Sequence, residues 1–257
     1  LPVSDGRVLA EGDILLHQLS SERDVTAAVS PPVREELIVV GGVEARASTR
    51  APAGTSDAVP AGCLDMSRTE FPLLPGSLSE VRGIASIWEG ARDDARGSAI
   101  ELVRADATEA AFKREAPGKS VVHLATHGFF SANDCWTDPV AYASPLQLSG
   151  LVFAVDGGEG GASDGVLLAD EVATMDFSRA RWVVLSGCDT GLGGIQVDEG
   201  ILGLRRAFRT AGAGTLIMSL WPVEDLSADA FMRSLYGARF ERLQSTAASM
   251  RHAYRDA

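Results

Sequence analysis

Two side chains in this chain have the types and setting for nucleophilic chemistry. His127 lies in the run Val121-Val122-His123-Leu124-Ala125-Thr126-His127-Gly128, and Cys188 in Trp182-Val183-Val184-Leu185-Ser186-Gly187-Cys188-Asp189-Thr190-Gly191. Each run reads as a buried strand delivering one reactive side chain beside a glycine, and 61 residues separate the pair. A free thiol with a pKa of about 8.5 is only a few per cent thiolate at neutral pH, so it needs a base within reach. Cys188 is the candidate nucleophile. His127 is the candidate general acid–base, protonating a leaving amine and later activating water. Attack on a carbonyl also needs donors for the developing oxyanion. The backbone N–H groups of Gly128 and Cys188 are the candidates, since glycine lets a backbone approach substrate closely. His123 shares strand parity with His127 and is expected to be a core or supporting histidine.

The elements that would position this pair follow from periodicity. Apolar β-branched runs at 36–42, 120–126, 181–186 and 214–221, with a shorter strand at 100–104, alternate with helical patterns. Those patterns cover 78–92, 107–116, 167–175, 199–211, 227–239 and 243–254, with Ser227 expected as an N-cap. Upstream, 7–19 suggests a hairpin or strand pair and 20–25 the opening of a short helix with Ser21 as N-cap, while 129–165 reads as irregular with a glycine-rich tip. Strands alternating with helices imply an α/β fold with a mainly parallel sheet covered on both faces. Ligands in such folds bind outside the carboxyl ends of the strands, where both His127 and Cys188 fall.

Composition narrows the function classes. With 46% hydrophobic residues the chain can bury a substantial core. A net charge of −12 opposes an electrostatic grip on nucleic acid or anionic lipid. Three cysteines (63, 135 and 188) form no even disulfide framework, which favours a reducing, cytoplasmic setting. No stretch approaches the roughly 18 apolar residues of a membrane span. The first residues lack the pattern of a secretory signal, and both ends read as cuts inside a larger protein.

Competing motifs fail on spacing. A tyrosine-phosphatase loop needs arginine six residues beyond the cysteine, where this chain has Gly194. Gly118-Lys119-Ser120 mimics the end of a phosphate loop, yet the opening glycine would fall at Lys113 and a strand follows. No Cys-x-x-Cys occurs, and His123, His127 and Cys188 lack the spacing of a zinc ribbon or helical zincin. No metal or cofactor is expected.

The strings His123-Leu124-Ala125-Thr126-His127-Gly128, Leu185-Ser186-Gly187-Cys188-Asp189-Thr190-Gly191 and Ser219-Leu220-Trp221-Pro222-Val223-Glu224-Asp225 resemble those of CHAT domains. These are caspase-HetF-associated-with-TPR proteases, akin to caspases, gingipains and separase. The resemblance also takes in Leu74-Pro75-Gly76 with Glu80, Ser144 to Leu148, and Glu199-Gly200 leading into Arg205-Arg206-Ala207-Phe208. It implies a caspase-like three-layer sandwich and peptide-bond hydrolysis by a Cys–His dyad. It divides the chain into an upstream pseudo-protease portion (1–45), a linker or long loop (46–70) and a protease domain (71–257). Ser186-Gly187-Cys188 departs from the Gln-Ala-Cys of caspases, so cleavage after aspartate is not implied. In the separase-like branch an acidic residue after the Leu-Trp segment reads a basic side chain. Asp225 matches it, with Asp189 a second candidate, while a helix-capping role for Asp225 is the plain alternative. The resemblance further implies a protein substrate and a regulatory domain or activator, in bacterial defence or signalling. A silent protease-shaped interaction module and a small-molecule cysteine amidase are the alternatives.

Overall fold

The computed structural model describes residues 34–44, 71–91, 96–130, 146–155, 164–186, 197–219 and 223–256. Five parallel strands form the central sheet: β1 (Glu35–Gly41), β2 (Arg96–Val103), β3 (Val121–Ala125), β7 (Trp182–Ser186) and β8 (Thr215–Met218), in the order β2-β1-β3-β7-β8. A smaller antiparallel sheet joins β4 (Gly128–Phe130), β5 (Ser149–Val152) and β6 (Val166–Leu168). The helices are α1 (Pro75–Gly90), α2 (Glu109–Glu115), α3 (Ala169–Thr174), α4 (Val197–Thr210), α5 (Asp225–Tyr236) and α6 (Thr246–Asp256), with a π turn at Gly237–Glu241.

Strand alternation sorts the core into two layers. Ile38, Val40, Val122, Leu124, Val183 and Leu185 face α2, α3 and α4, packing on Phe112, Val172, Leu204 and Phe208. Leu37, Val39, Val121, Val184 and Ile217 face the other way, onto Val81, Ile84 and Trp88 of α1 and Met232, Leu235 and Tyr236 of α5. Strands buried on both faces explain why β1, β3 and β7 read as continuous apolar runs. The result is the expected α/β sandwich, with a parallel sheet flanked by helices. β1 comes from upstream of residue 45 yet is an interior strand, paired to both β2 and β3.

Several boundaries differ from the sequence reading, each for a local reason. α1 starts at Pro75, because a proline lacking N–H suits the first helical position. β2 spans eight residues where a strand of about five is expected from pattern alone. The 129–165 region is not wholly irregular: it contributes β5, and Phe129 and Phe130 belong to β4. β6 occupies 166–168, so the helix expected from 167 starts at Ala169. α5 starts at Asp225 with Glu224 as N-cap residue, so Ser227 lies inside the helix and does not cap it. α6 begins only at Thr246, after Leu243 takes a φ of 54° that breaks the helical path. The expected elements at 7–19 and 20–25 lie outside the described residues.

The carboxyl end of β1 is pressed against α1. A Cβ added at Gly41 would stand 2.8 Å from the Ser77 carbonyl oxygen and 2.7 Å from a Val81 methyl. Gly42 turns the chain at a φ of 61° and donates its N–H to Ser77 Oγ at 2.9 Å. Gly41→Ala is therefore expected to cost about 1–3 kcal/mol through overpacking against backbone, read as a lowered urea midpoint with an unchanged m-value.

Candidate functional site

His127 occupies the point where the chain leaves the parallel sheet for the antiparallel one, one residue before β4. Its backbone is tied to β5: Val152 N–H donates to the His127 carbonyl at 2.9 Å, and the Thr126 hydroxyl donates to the Val152 carbonyl. The ring is held separately. Nε2 lies 2.6 Å from the Pro72 carbonyl oxygen, and the Phe71 ring packs at 5.4 Å between centroids. A carbonyl can only accept, so Nε2 carries the proton and the neutral ring presents Nδ1 as its basic nitrogen. At 5% exposure His127 is almost wholly buried.

Gly128 begins β4 opposite Leu151. Because His127 and Val152 form a hydrogen-bonded pair, antiparallel alternation turns the Gly128 N–H away from β5. A Cβ at Gly128 would meet its nearest neighbour at 3.8 Å, an ordinary contact. Glycine is thus not demanded there by the described packing.

Cys188 and Asp189 lie outside the described residues. β7 is described up to Ser186, whose buried hydroxyl has no hydrogen-bond partner among the described residues. In the β3–β7 ladder Ala125 faces Ser186, an offset of 61 residues that equals the chain separation of His127 and Cys188.

Asp225 is placed at the first position of α5, and its carboxylate accepts the Gly76 N–H at the amino end of α1. The N-cap residue of α1, Leu74, offers no side-chain cap, so Asp225 caps α1 from across the fold. Asp225 therefore caps α1 and not the helix near Ser227 that the sequence suggested, whose N-cap residue is Glu224. Burial raises the Asp225 pKa, opposed by the Gly76 hydrogen bond; Glu80 and Asp229 raise it further and His127 lowers it. Asp225 is tied to Gly76 and His127 to Pro72, so both side chains hold the same short stretch of chain at the amino end of α1.

His123 lies beneath this edge, fully buried. Nε2 meets Glu80 Oε1 at 2.8 Å and Nδ1 meets the Tyr236 hydroxyl at 3.2 Å. With Glu80 ionised, every group is satisfied when Nε2–H donates to Glu80 and the Tyr236 hydroxyl donates to Nδ1. Burial pushes the Tyr236 hydroxyl well above its usual pKa, with Glu80 adding to the effect, which keeps it neutral. The supporting role expected of His123 matches this placement.

Phe71, Pro72 and Tyr236 were not legible as site residues. Pro72 acts through a carbonyl 55 residues from His127, which side-chain patterns do not reveal. Glu80 lay inside a recognisable string, but nothing in spacing paired it with His123. Among the described residues no group of three His, Cys, Asp or Glu could hold a metal ion, and no helix is long and apolar enough to cross a membrane.

Two outcomes follow. Tyr236→Phe removes one neutral hydrogen bond and costs about 0.5–1.5 kcal/mol in chemical denaturation, whereas Glu80→Ala strands a buried polar partner and costs about 3–5 kcal/mol. Asp225 holds its proton more tightly folded than unfolded, so its ionisation opposes folding as pH rises through and above the ordinary value of 3.8. Asp225→Asn, which still accepts from Gly76, should melt no lower than the parent at pH 7, and any advantage should vanish below pH 3.8.

No curated protein matches the chain closely enough to count as a relative. The CHAT domain family, however, matches residues 3–257, which includes the upstream portion as well as the segment bearing His127 and Cys188. That match, on a five-stranded parallel sheet sandwiched by helices, makes the chain a member of the CHAT domain family and a caspase-like, protease-related domain.

Proposed function

We propose that this domain is a cysteine endopeptidase in which Cys188 and His127 form the dyad. The observation that carries the reading is the β3–β7 register. Parallel neighbours about 4.8 Å apart end with Ala125 opposite Ser186, each two residues short of the reactive side chain. The His127 ring supports it, since Pro72 occupies Nε2 and leaves Nδ1 as the base.

In this mechanism the Cys188 thiol gives its proton to His127 Nδ1 as sulfur adds to the peptide carbonyl carbon. The oxyanion is taken by the N–H groups of Gly128 and Cys188. His127 returns the proton to the departing amine, and the C–N bond breaks to leave a thioester. Water then adds to the thioester carbonyl while His127 takes its proton, and collapse releases the acid and restores the thiol. The Pro72 carbonyl holds the ring orientation through both half-reactions.

Substrate choice falls to Asp225 in this reading, with Asp189 as the second acidic candidate. Gly76 N–H engages Asp225 Oδ2, so a basic side chain would be met by the remaining oxygen. Family membership suggests a specific protein target and control by a partner or ligand-sensing domain, in cytoplasmic bacterial defence or signalling.

The test uses reactivity before turnover. Iodoacetamide labelling read by mass spectrometry should modify Cys188 faster than Cys63 and Cys135 at pH 7, and His127→Ala should remove that advantage. Equal rates at all three cysteines would sink the dyad and favour a silent interaction module. Against a peptide library, Cys188→Ala should lose about 10³-fold or more of cleavage. Gly128→Ala should fold as the parent does yet lose about 10-fold or more, through a blocked approach to the oxyanion donor. Asp225→Asn should depress cleavage after basic residues selectively.

A further inference from the structure

The amino-terminal edge of the sheet, at the far end of the strands from His127, carries an unusual collection of cations. Glu35 opens β1, Arg96 opens β2, Arg181 immediately precedes β7, and Arg239 projects from the π turn. Glu35 is shared: Oε2 accepts from Arg96 Nε at 3.1 Å, and Oε1 accepts from Arg181. Both carboxylate oxygens are thereby committed. Arg96, 7% exposed, also donates to the Ala91 and Phe240 carbonyls, so its donors are largely used.

Arg239 is left over. It makes no hydrogen bond or ion pair among the described residues; its guanidinium lies 5.3 Å from the Phe240 ring centroid and 5.8 Å from that of Trp182. Burial lowers its pKa below the ordinary arginine value, and the charges of Arg181 and Arg96 add to this against a partial offset from Glu35. Two of the three guanidinium groups thus share the Glu35 carboxylate and Arg239 has no ion pair among the described residues, in a chain whose net charge is −12. The local excess of positive charge opposes the overall balance and needs a reason.

We propose that this edge is an oxyanion site, in which Arg239 and Arg181, backed by Arg96, bind a multiply charged phosphate group. A guanidinium offers a fixed fork of donors matched to phosphate oxygens, and stacking on aromatic rings fixes its plane in advance. Glu35 already shows that one carboxylate serves two of the three arginines. A phosphate, with three or more acceptor oxygens, supplies what the third lacks. The π turn is an independent pointer. Such turns are rare and recur at functional sites; here one closes with Arg242 N–H on the Gly237 carbonyl at 3.1 Å and sets Arg239 beside Trp182. Arg181, with its side chain 30% exposed, leaves the site open to solvent. This site is separate from the proposed dyad and does not depend on it.

The test is calorimetric and thermal titration of the chain with pyrophosphate, phosphoserine and citrate, each against sodium chloride at matched ionic strength. Pyrophosphate should bind saturably and raise the melting temperature by about 5 °C at roughly 100-fold excess over its Kd. Phosphoserine binding more tightly than pyrophosphate would identify a protein-borne phosphate as the natural occupant, still within the proposal. Arg239→Gln should weaken binding at least about 10-fold, and Arg181→Gln should do so if the first variant folds poorly. Arg82→Gln, exposed elsewhere on α1, should leave it unchanged. The absence of a saturable effect, equal effects of citrate and pyrophosphate, or binding unaltered in both Arg239 and Arg181 variants would overturn the proposal.

Discussion

The first N–H groups of a helix have no partners within it, and α1 satisfies one of them, that of Gly76, with a carboxylate from a distant part of the chain. Leu74 gives no side-chain cap; the Asp225 carboxylate of α5 accepts from Gly76 instead. Ser77 accepts from Gly42 at the end of β1, and its own hydroxyl donates back to Leu74. The residues leading into the helix are fixed by the same docking, which sets Phe71 on the His127 ring and the Pro72 carbonyl on Nε2. The orientation of the imidazole therefore inherits its precision from a helix terminus rather than from a dedicated acidic side chain.

One turn further along α1, Glu80 reaches His123 through a layer that is otherwise apolar. A polar trio in such a layer is tolerable because each member is paired, with the Tyr236 hydroxyl completing the set. It also registers α1 and α5 against β3 in a way that interchangeable methyl contacts would not. Arg233 adds a second link between the two helices, crossing at Gly83 and donating to the Ser79 carbonyl.

Much of this is legible in the sequence. β1, β3 and β7 announce themselves because strands covered on both faces need apolar residues at every position. His127 was identifiable as a strand-end residue beside a glycine. The short strands were not: β4 has three residues and β5 four, too few for a period to emerge. Gly150 illustrates the difficulty, since it weakens a strand pattern yet is required where an added Cβ would stand 2.6 Å from the Leu167 carbonyl. Asp225 could be recognised as a capping candidate, but not that it caps a helix starting 150 residues earlier. Tertiary pairing of that kind leaves no local trace. Neither does a carbonyl partner such as that of Pro72.

The transfer of the chain between sheets at Thr126 and His127 has a mechanical consequence. The backbone of His127 belongs to the antiparallel sheet through Val152, while its ring is gripped by the approach to α1. The residue is thus a joint between two bodies: a load that shears the small sheet against α1 would twist the imidazole about its own Cα–Cβ bond. Any load on β5 or β6 would have a direct lever on the aim of Nδ1, with no need to touch the ring itself.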